Sequence, residues 1–274
     1  MMRSGFGGKR GVLSSRSSGL QTILDKAGSK HGLIRAIGGD DILTWIDATK
    51  TSNTLDAVLT NSTIDTIEGT ESTIGTNAPT TVFSSVLNST AYSFNEDETL
   101  KWSTNFFPAS QKLATIASRY CITSSLTDHI VFELGNASGY SVINGGLVQG
   151  VVRSGSANTP TIWCGIGDAS SADTFSWGTE AIQNLALSVV STYDTNANPD
   201  AATNYYDGER LPAGDGAQDG KDTTHNIDRA NVPYLGARNN GANFSLNGHV
   251  SDFLIITRKL TEGESQRLSK ALSS

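Results

Sequence analysis

From Ile42 onward the chain is a succession of short apolar runs parted by Gly, Ser, Asn and Asp. Period-two alternation is clearest in NLALSVVSTY, residues 184–193. There Leu185, Leu187 and Val189 share one face, and Ala186, Ser188 and Val190 share the other. That period marks a strand with a buried side. The same reading places strands at 42–47, 80–87, 91–94, 100–107, 113–122, 129–134, 141–143, 147–153, 161–167, 174–177, 184–193, 204–206, 233–237 and 252–257. Residues 49–79 are polar and rich in Thr and Asn, which predicts a long surface loop with room for one edge strand. Residues 194–231 form a second long loop, with a tight turn at Asp207-Gly208.

Helical spacing is confined to two places. Leu20, Ile23, Leu24 and Ala27 make one stripe, stopped by Gly28. Near the end, Thr261 and Glu264 have capping-box spacing, and Leu260, Leu268 and Leu272 follow as anchors for a closing helix. No internal repeat or Pro-rich linker divides the chain. The expected organisation is an arm with a short helix over residues 1–40 and one β-sandwich over 41–274.

Composition sharpens this picture. Only 17% of the 274 residues are charged and 37% are hydrophobic, a mixture suited to short strands and many turns. No apolar run approaches the ~20 residues a membrane-spanning helix needs, so membrane insertion is not expected. The opening MMRSGFGGKRG lacks an apolar stretch and does not read as a secretory leader. Cys121 and Cys164 lie in apolar strand-like runs, which favours two buried free thiols over a disulfide. The four histidines are scattered singly, with no zinc spacing.

Charge is unevenly placed. Residues 1–35 carry seven Lys/Arg against one acid, while the chain as a whole has a formal charge of −7. Residues 1–19 are too rich in Gly and Ser to bury a core and would be disordered in isolation. A basic arm on an acidic body points to docking on an acidic partner, through Arg3, Lys9, Arg10 and Arg16.

One stretch carries a family resemblance. VPYLGARNNG at 232–241 is followed by FSLNGHVSDFLII at 244–256 and TRKLTEGE at 257–264. This order of strand, Gly/Asn turn, apolar strand and capped helix resembles the closing section of concanavalin A-like (laminin G-like) β-sandwich domains. The Tyr205-Tyr206-Asp207-Gly208 hairpin after a long strand fits the same pattern, and Leu43–Ala48 resembles the opening strand of such domains. The resemblance covers roughly residues 181–272. It implies an all-β fold, a two-sheet antiparallel jelly-roll sandwich, with an extended N-terminal arm and a short C-terminal helix.

It also implies chemistry to look for. Sugar binding would draw on aromatics beside Asn side chains: Tyr205, Tyr206, Tyr234, Asn239, Asn240 and Asn243. Laminin G-like relatives often hold calcium at the sandwich rim, and Asp207, Asp215, Asp219 and Asp222 lie in one Gly-rich loop, with Asp228 beyond. Calcium is the one cofactor considered, and no other is expected. Catalysis has weaker footing. The Glu-x-Asp-x-Glu strand of the family's glucanases is absent. Glu96-Asp97-Glu98 places its acids consecutively and reads as a solvated turn. Gly-x-Ser-x-Gly is also absent.

The expected function is therefore non-enzymatic. The favoured reading is a structural or adhesion component of a virus particle, a bacteriophage virion. Residues 1–19 would dock it on other virion proteins as part of a homo-oligomer, leaving the sandwich at the surface to meet host glycans. The alternatives are a stand-alone carbohydrate-binding lectin-like protein and a divergent glycoside hydrolase.

Overall fold

The computed structural model describes residues 29–48, 67–71, 79–95, 98–102, 107–108, 110–124, 128–134, 146–154, 159–167, 172–180, 183–196, 202–212, 227, 233–237 and 245–274. The expected helix at 20–27, the arm residues Arg3, Lys9, Arg10 and Arg16, and the expected strand at 141–143 lie outside them.

Among the described residues helix α1 (Lys30–Gly38) comes first, followed by a 3-10 turn (Gly39–Asp41). The strands are β1 (Ile42–Asp47), β2 (Ile67–Glu71), β3 (Thr80–Ser84), β4 (Ser89–Phe94), β5 (Glu98–Trp102), β6 (Leu113–Ile122), β7 (His129–Leu134) and β8 (Leu147–Ser154). They continue with β9 (Thr159–Gly167), β10 (Ala172–Glu180), β11 (Leu187–Asp194), β12 (Ala202–Tyr206), β13 (Glu209–Arg210), β14 (Pro233–Leu235) and β15 (Gly248–Ile256), and helix α2 (Glu262–Leu272) closes the chain.

Among the described residues these strands form two antiparallel sheets. The first runs β13-β12-β11-β6-β15-β4-β3, and β1 joins it on β15. The second runs β10-β9-β8-β7-β14-β5-β2. Strand β15 serves two partners on one edge: residues 248–250 pair with β4 and residues 252–256 pair with β1. This is the two-sheet sandwich the sequence implies.

The main core fills the space between the sheets. Ile116, Tyr120 and Ile122 of β6 point into it, as do Leu187, Val189 and Tyr193 of β11 and Phe253 and Ile255 of β15. The rings of Phe132 and Phe253 meet across the sheets, with centroids 5.1 Å apart. In β15, Val250 and Phe253 both face this core although they are three residues apart. A register shift between Val250 and Asp252 explains it, because one extra residue resets the alternation.

A second cluster covers the outer face of the first sheet. Trp45, Ala117, Val190, Tyr205 and Leu254 pack there against Ile34 and Ile37 of α1 and Leu268 and Leu272 of α2. This is why Ser188, Val190 and Thr192 are buried too, although alternation puts them opposite the core. The side expected to face water is roofed by helices. Helix α1 was not anticipated, and it lies within the stretch read from sequence as arm. It starts on a Ser29 cap that accepts from the Gly32 amide, and ion pairs tie it down. Lys30 Nζ lies 2.8 Å from Asp252 Oδ1, and His31 Nε2 lies 2.8 Å from Asp47 Oδ2. Asp47 and Asp252 are register partners on β1 and β15, and the Lys30 ammonium against Asp252 offsets what would otherwise be a buried like-charge pair.

Between the sheets sits a polar strut. Gln149 of β8 donates to Ser191 Oγ at 2.7 Å and to the Ile116 carbonyl at 3.2 Å, and accepts from Ser118 Oγ at 2.6 Å. Ser191 in turn donates to Asn204 Oδ1 at 2.5 Å. The strut links strands of both sheets in the centre of the core, where geometry must satisfy each polar group. Both cysteines are free and buried, as expected, and burial pushes each thiol up from its ordinary range.

Candidate functional site

The site grows from a hairpin. Asp207 and Gly208 both have positive φ, 47° and 85°, the type I′ combination that joins β12 to β13 in two residues. The register then sets Tyr205 directly opposite Arg210. Cross-strand partners share a face, and Thr203, two residues before Tyr205, shares it as well. That face is the outer one.

Helix α2 fixes the hairpin from the side. The Gly208 amide donates to Ser269 Oγ at 2.8 Å, and Ser273 Oγ donates to Asp207 Oδ1 at 3.2 Å. The chain between β15 and α2 supplies the opposite wall, Lys259 to Glu262. A cavity of about 320 Å³ opens between them, floored by Thr203, Tyr205 and Arg210 and walled by Lys259, Leu260, Thr261 and Glu262. Its wall is held firmly. Thr261 Oγ1 and Glu264 form the expected capping box. Both Arg258 guanidinium nitrogens reach the Glu264 carboxylate, at 2.9 and 2.8 Å. That guanidinium and the Thr261 amide hold the Glu264 carboxyl at about 2, well below its usual 4.5. Thr115 Oγ1 accepts from the Leu260 amide and donates to the Arg258 carbonyl, fastening the same segment to β6.

The groove presents two cations and one carboxylate, over a floor in which the Thr203 and Tyr205 side chains are buried and beside a Thr261 hydroxyl engaged in the capping box. Such a rim can exchange hydrogen bonds with the hydroxyls of a sugar.

The structure distributes the sugar-site residues expected from sequence. Tyr205 lines the groove. Tyr206, its neighbour, turns inward and packs on the main core, where burial raises its phenol with Asp207 adding to the shift. Tyr234 belongs to the second sheet, beside Leu235, which faces the core. Alternation therefore turns Tyr234 to that sheet's outer side, away from Tyr205. Burial raises its phenol too, and Glu133 adds to the shift. One aromatic platform from all three is excluded. Asn239, Asn240 and Asn243 lie outside the described residues, as do Asp215, Asp219 and Asp222 of the calcium expectation, and Asp228. Asp207 sits exposed at the hairpin tip. Among the described residues no group of three or more His, Cys, Asp or Glu side chains is arranged to hold a metal ion.

Of the Glu96-Asp97-Glu98 cluster only Glu98 is described; its amide closes a turn on the Asn95 carbonyl at 3.0 Å, as read, but its side chain is buried rather than solvated. It is buried at the start of β5, and its Oε2 accepts from Asn95 N at 2.9 Å and Nδ2 at 3.1 Å. Arg210, Lys259, Thr203 and Glu262 were not singled out from sequence. The one available signal was the Asp-Gly turn, which places Arg210 opposite Tyr205.

No family model and no curated protein matches the sequence. Among solved structures, domain 4 of AbnA, a GH43 extracellular arabinanase from Geobacillus stearothermophilus, in complex with arabinotriose, matches over 83% of this chain and 98% of that domain. The TM-score is 0.59 and the identity 11%. The binding domain of botulinum neurotoxin DC, in complex with rat synaptotagmin II, matches with a TM-score of 0.53 and 14% identity, over 85% of this chain and 52% of that one. A structure of botulinum neurotoxin type C, whose cell entry depends on interaction with two ganglioside molecules, gives 0.50 and 12%, over 87% of this chain and 53% of that one. At these identities the likeness is one of fold, an antiparallel two-sheet β-sandwich. The chain spans about half the length of the toxin chains.

Proposed function

We propose that this chain is a non-catalytic carbohydrate-binding domain that holds a glycan in the groove between the β12–β13 hairpin and the start of α2. The observation that carries the reading is the groove's lining, Tyr205 and Arg210 in register against Thr261 and Glu262. Support comes also from a fold neighbour, the domain solved in complex with arabinotriose, which this chain matches over 98% of that domain. The expected virus-particle role rested jointly on the sandwich, the lack of a leader-like stretch and of catalytic motifs, the few cysteines and the basic arm; the arm lies outside the described residues, and no comparison bears on that role. The reading here is therefore the lectin-like one. A glycan array probed with the purified chain tests it. Binding should be saturable, and Arg210→Ala, at an exposed position, should weaken it without lowering the melting temperature. Absence of binding to any glycan would overturn the proposal.

A further inference from the structure

We propose that β3 is a dimerisation edge, across which two copies of this chain join their first sheets, antiparallel about a twofold axis at Val82. Among the described residues β3 ends that sheet and pairs with β4 alone. A strand at the end of a sheet offers backbone donors and acceptors that a further strand can take up, and such edges are ordinarily guarded by lysines, prolines or bulges. Strand β3 carries none of these guards. Its sequence, Thr80-Thr81-Val82-Phe83-Ser84, is uncharged and pairs with β4 without a register shift. Thr80 and Thr81 are exposed, and Phe83 is 69% exposed. Thr81 lies opposite Tyr92, which belongs to the main core. Phe83, two residues on, shares that inward side, yet its ring stands clear of the core.

Charge and symmetry point to a second copy as the occupant. Each chain has a formal charge of −7, so a contact between copies is opposed by repulsion unless it forms where charge is absent. No charged residue lies between Glu71 and Glu96, and that span holds the whole β3–β4 hairpin. An antiparallel strand pair is also self-complementary, as a twofold interface requires. Centred on Val82, the pairing sets Val82 against Val82 and, on each side of the axis, Thr81 of one copy against Phe83 of the other. Cross-strand partners share a face, and an aromatic ring against a β-branched side chain is a favourable pair.

Sedimentation equilibrium of the full chain over a series of concentrations tests this. The chain should behave as a reversible dimer. T81K/F83K, at two exposed positions, sets lysine against lysine on both sides of the axis and should raise the dissociation constant at least roughly tenfold. T81K/F83E sets lysine against glutamate at the same places and should recover much of the association at low salt, less at high salt. Circular dichroism of both variants should match that of the unaltered chain, which separates loss of the dimer from loss of the fold. A chain that is monomeric at every concentration would overturn the inference and leave the edge to a strand of another protein. A dimer untouched in T81K/F83K, or equal dissociation of the two variants, would overturn it as well.

Discussion

Leu185 and Leu187 are two residues apart in an alternating run, and simple alternation would bury both. The structure separates them. Leu187 begins β11 fully buried in the main core, paired with Tyr120 of β6. Leu185 precedes the strand and is 39% exposed, just after Asn184, whose φ of 59° is left-handed. Replacing Leu187 by Ala removes a buried side chain and leaves a cavity walled by both sheets. Such losses cost about 2–5 kcal/mol, and the site's tight surroundings argue for about 3–4. In a domain of this size each kcal/mol lowers the melting temperature by about 2–4 °C, so a drop on the order of 6–16 °C is expected. Leu185→Ala should shift stability by less than about 0.5 kcal/mol. Urea unfolding followed by tryptophan fluorescence measures both. Equal costs at the two positions would refute this start of β11, because the strand would then begin two residues earlier in the same register.

Gln149→Leu keeps the side chain's bulk but takes the acceptor from Ser118 and one donor each from the Ile116 carbonyl and from Ser191, which keeps Asn204. At roughly 1–3 kcal/mol for a buried group left unpaired, about 1–3 kcal/mol should be lost. A loss below about 0.5 kcal/mol in urea unfolding would mean that the strut does not join the sheets. The Glu264 carboxyl has a folded pKa below its unfolded value, chiefly through the Arg258 hydrogen bonds. Its contribution is therefore fully present above about pH 4.5 and fades as pH falls toward 2. Melting temperature measured from pH 6 to 2 should fall less steeply in Glu264→Gln, which is already weakened at neutral pH; parallel curves would contradict the pairing.

The strands that emerged with their expected bounds, β1, β6 and β7, are apolar runs closed by abrupt polar turns, where period and boundary signals agree. Helix α2 was legible because its capping box is local. Leu185 misled because a single left-handed residue interrupts a pattern that continues on both sides of it. Strand β15 starts at Gly248, earlier than expected, because the bulge at Ser251 breaks the alternation that would have revealed it. Helix α1 carried its signals, a Ser29 cap with Leu33, Ile34 and Ile37 at helical spacing, but two glycines and a basic context hid them. The groove could not be read at all from local pattern. Its walls lie about fifty residues apart in sequence, and only the docking of the hairpin on α2 joins them. Tyr205 and Tyr206 part for the simplest reason, since neighbours in a strand face opposite ways.

The most direct measurement is an amide chemical-shift titration of the isotope-labelled chain with the tightest-binding oligosaccharide from the array. The account predicts that the largest shifts fall on Thr203, Tyr205, Arg210 and residues 259–262, with Tyr234 unmoved. Shifts centred on Tyr234 and the second sheet, with the groove silent, would contradict it.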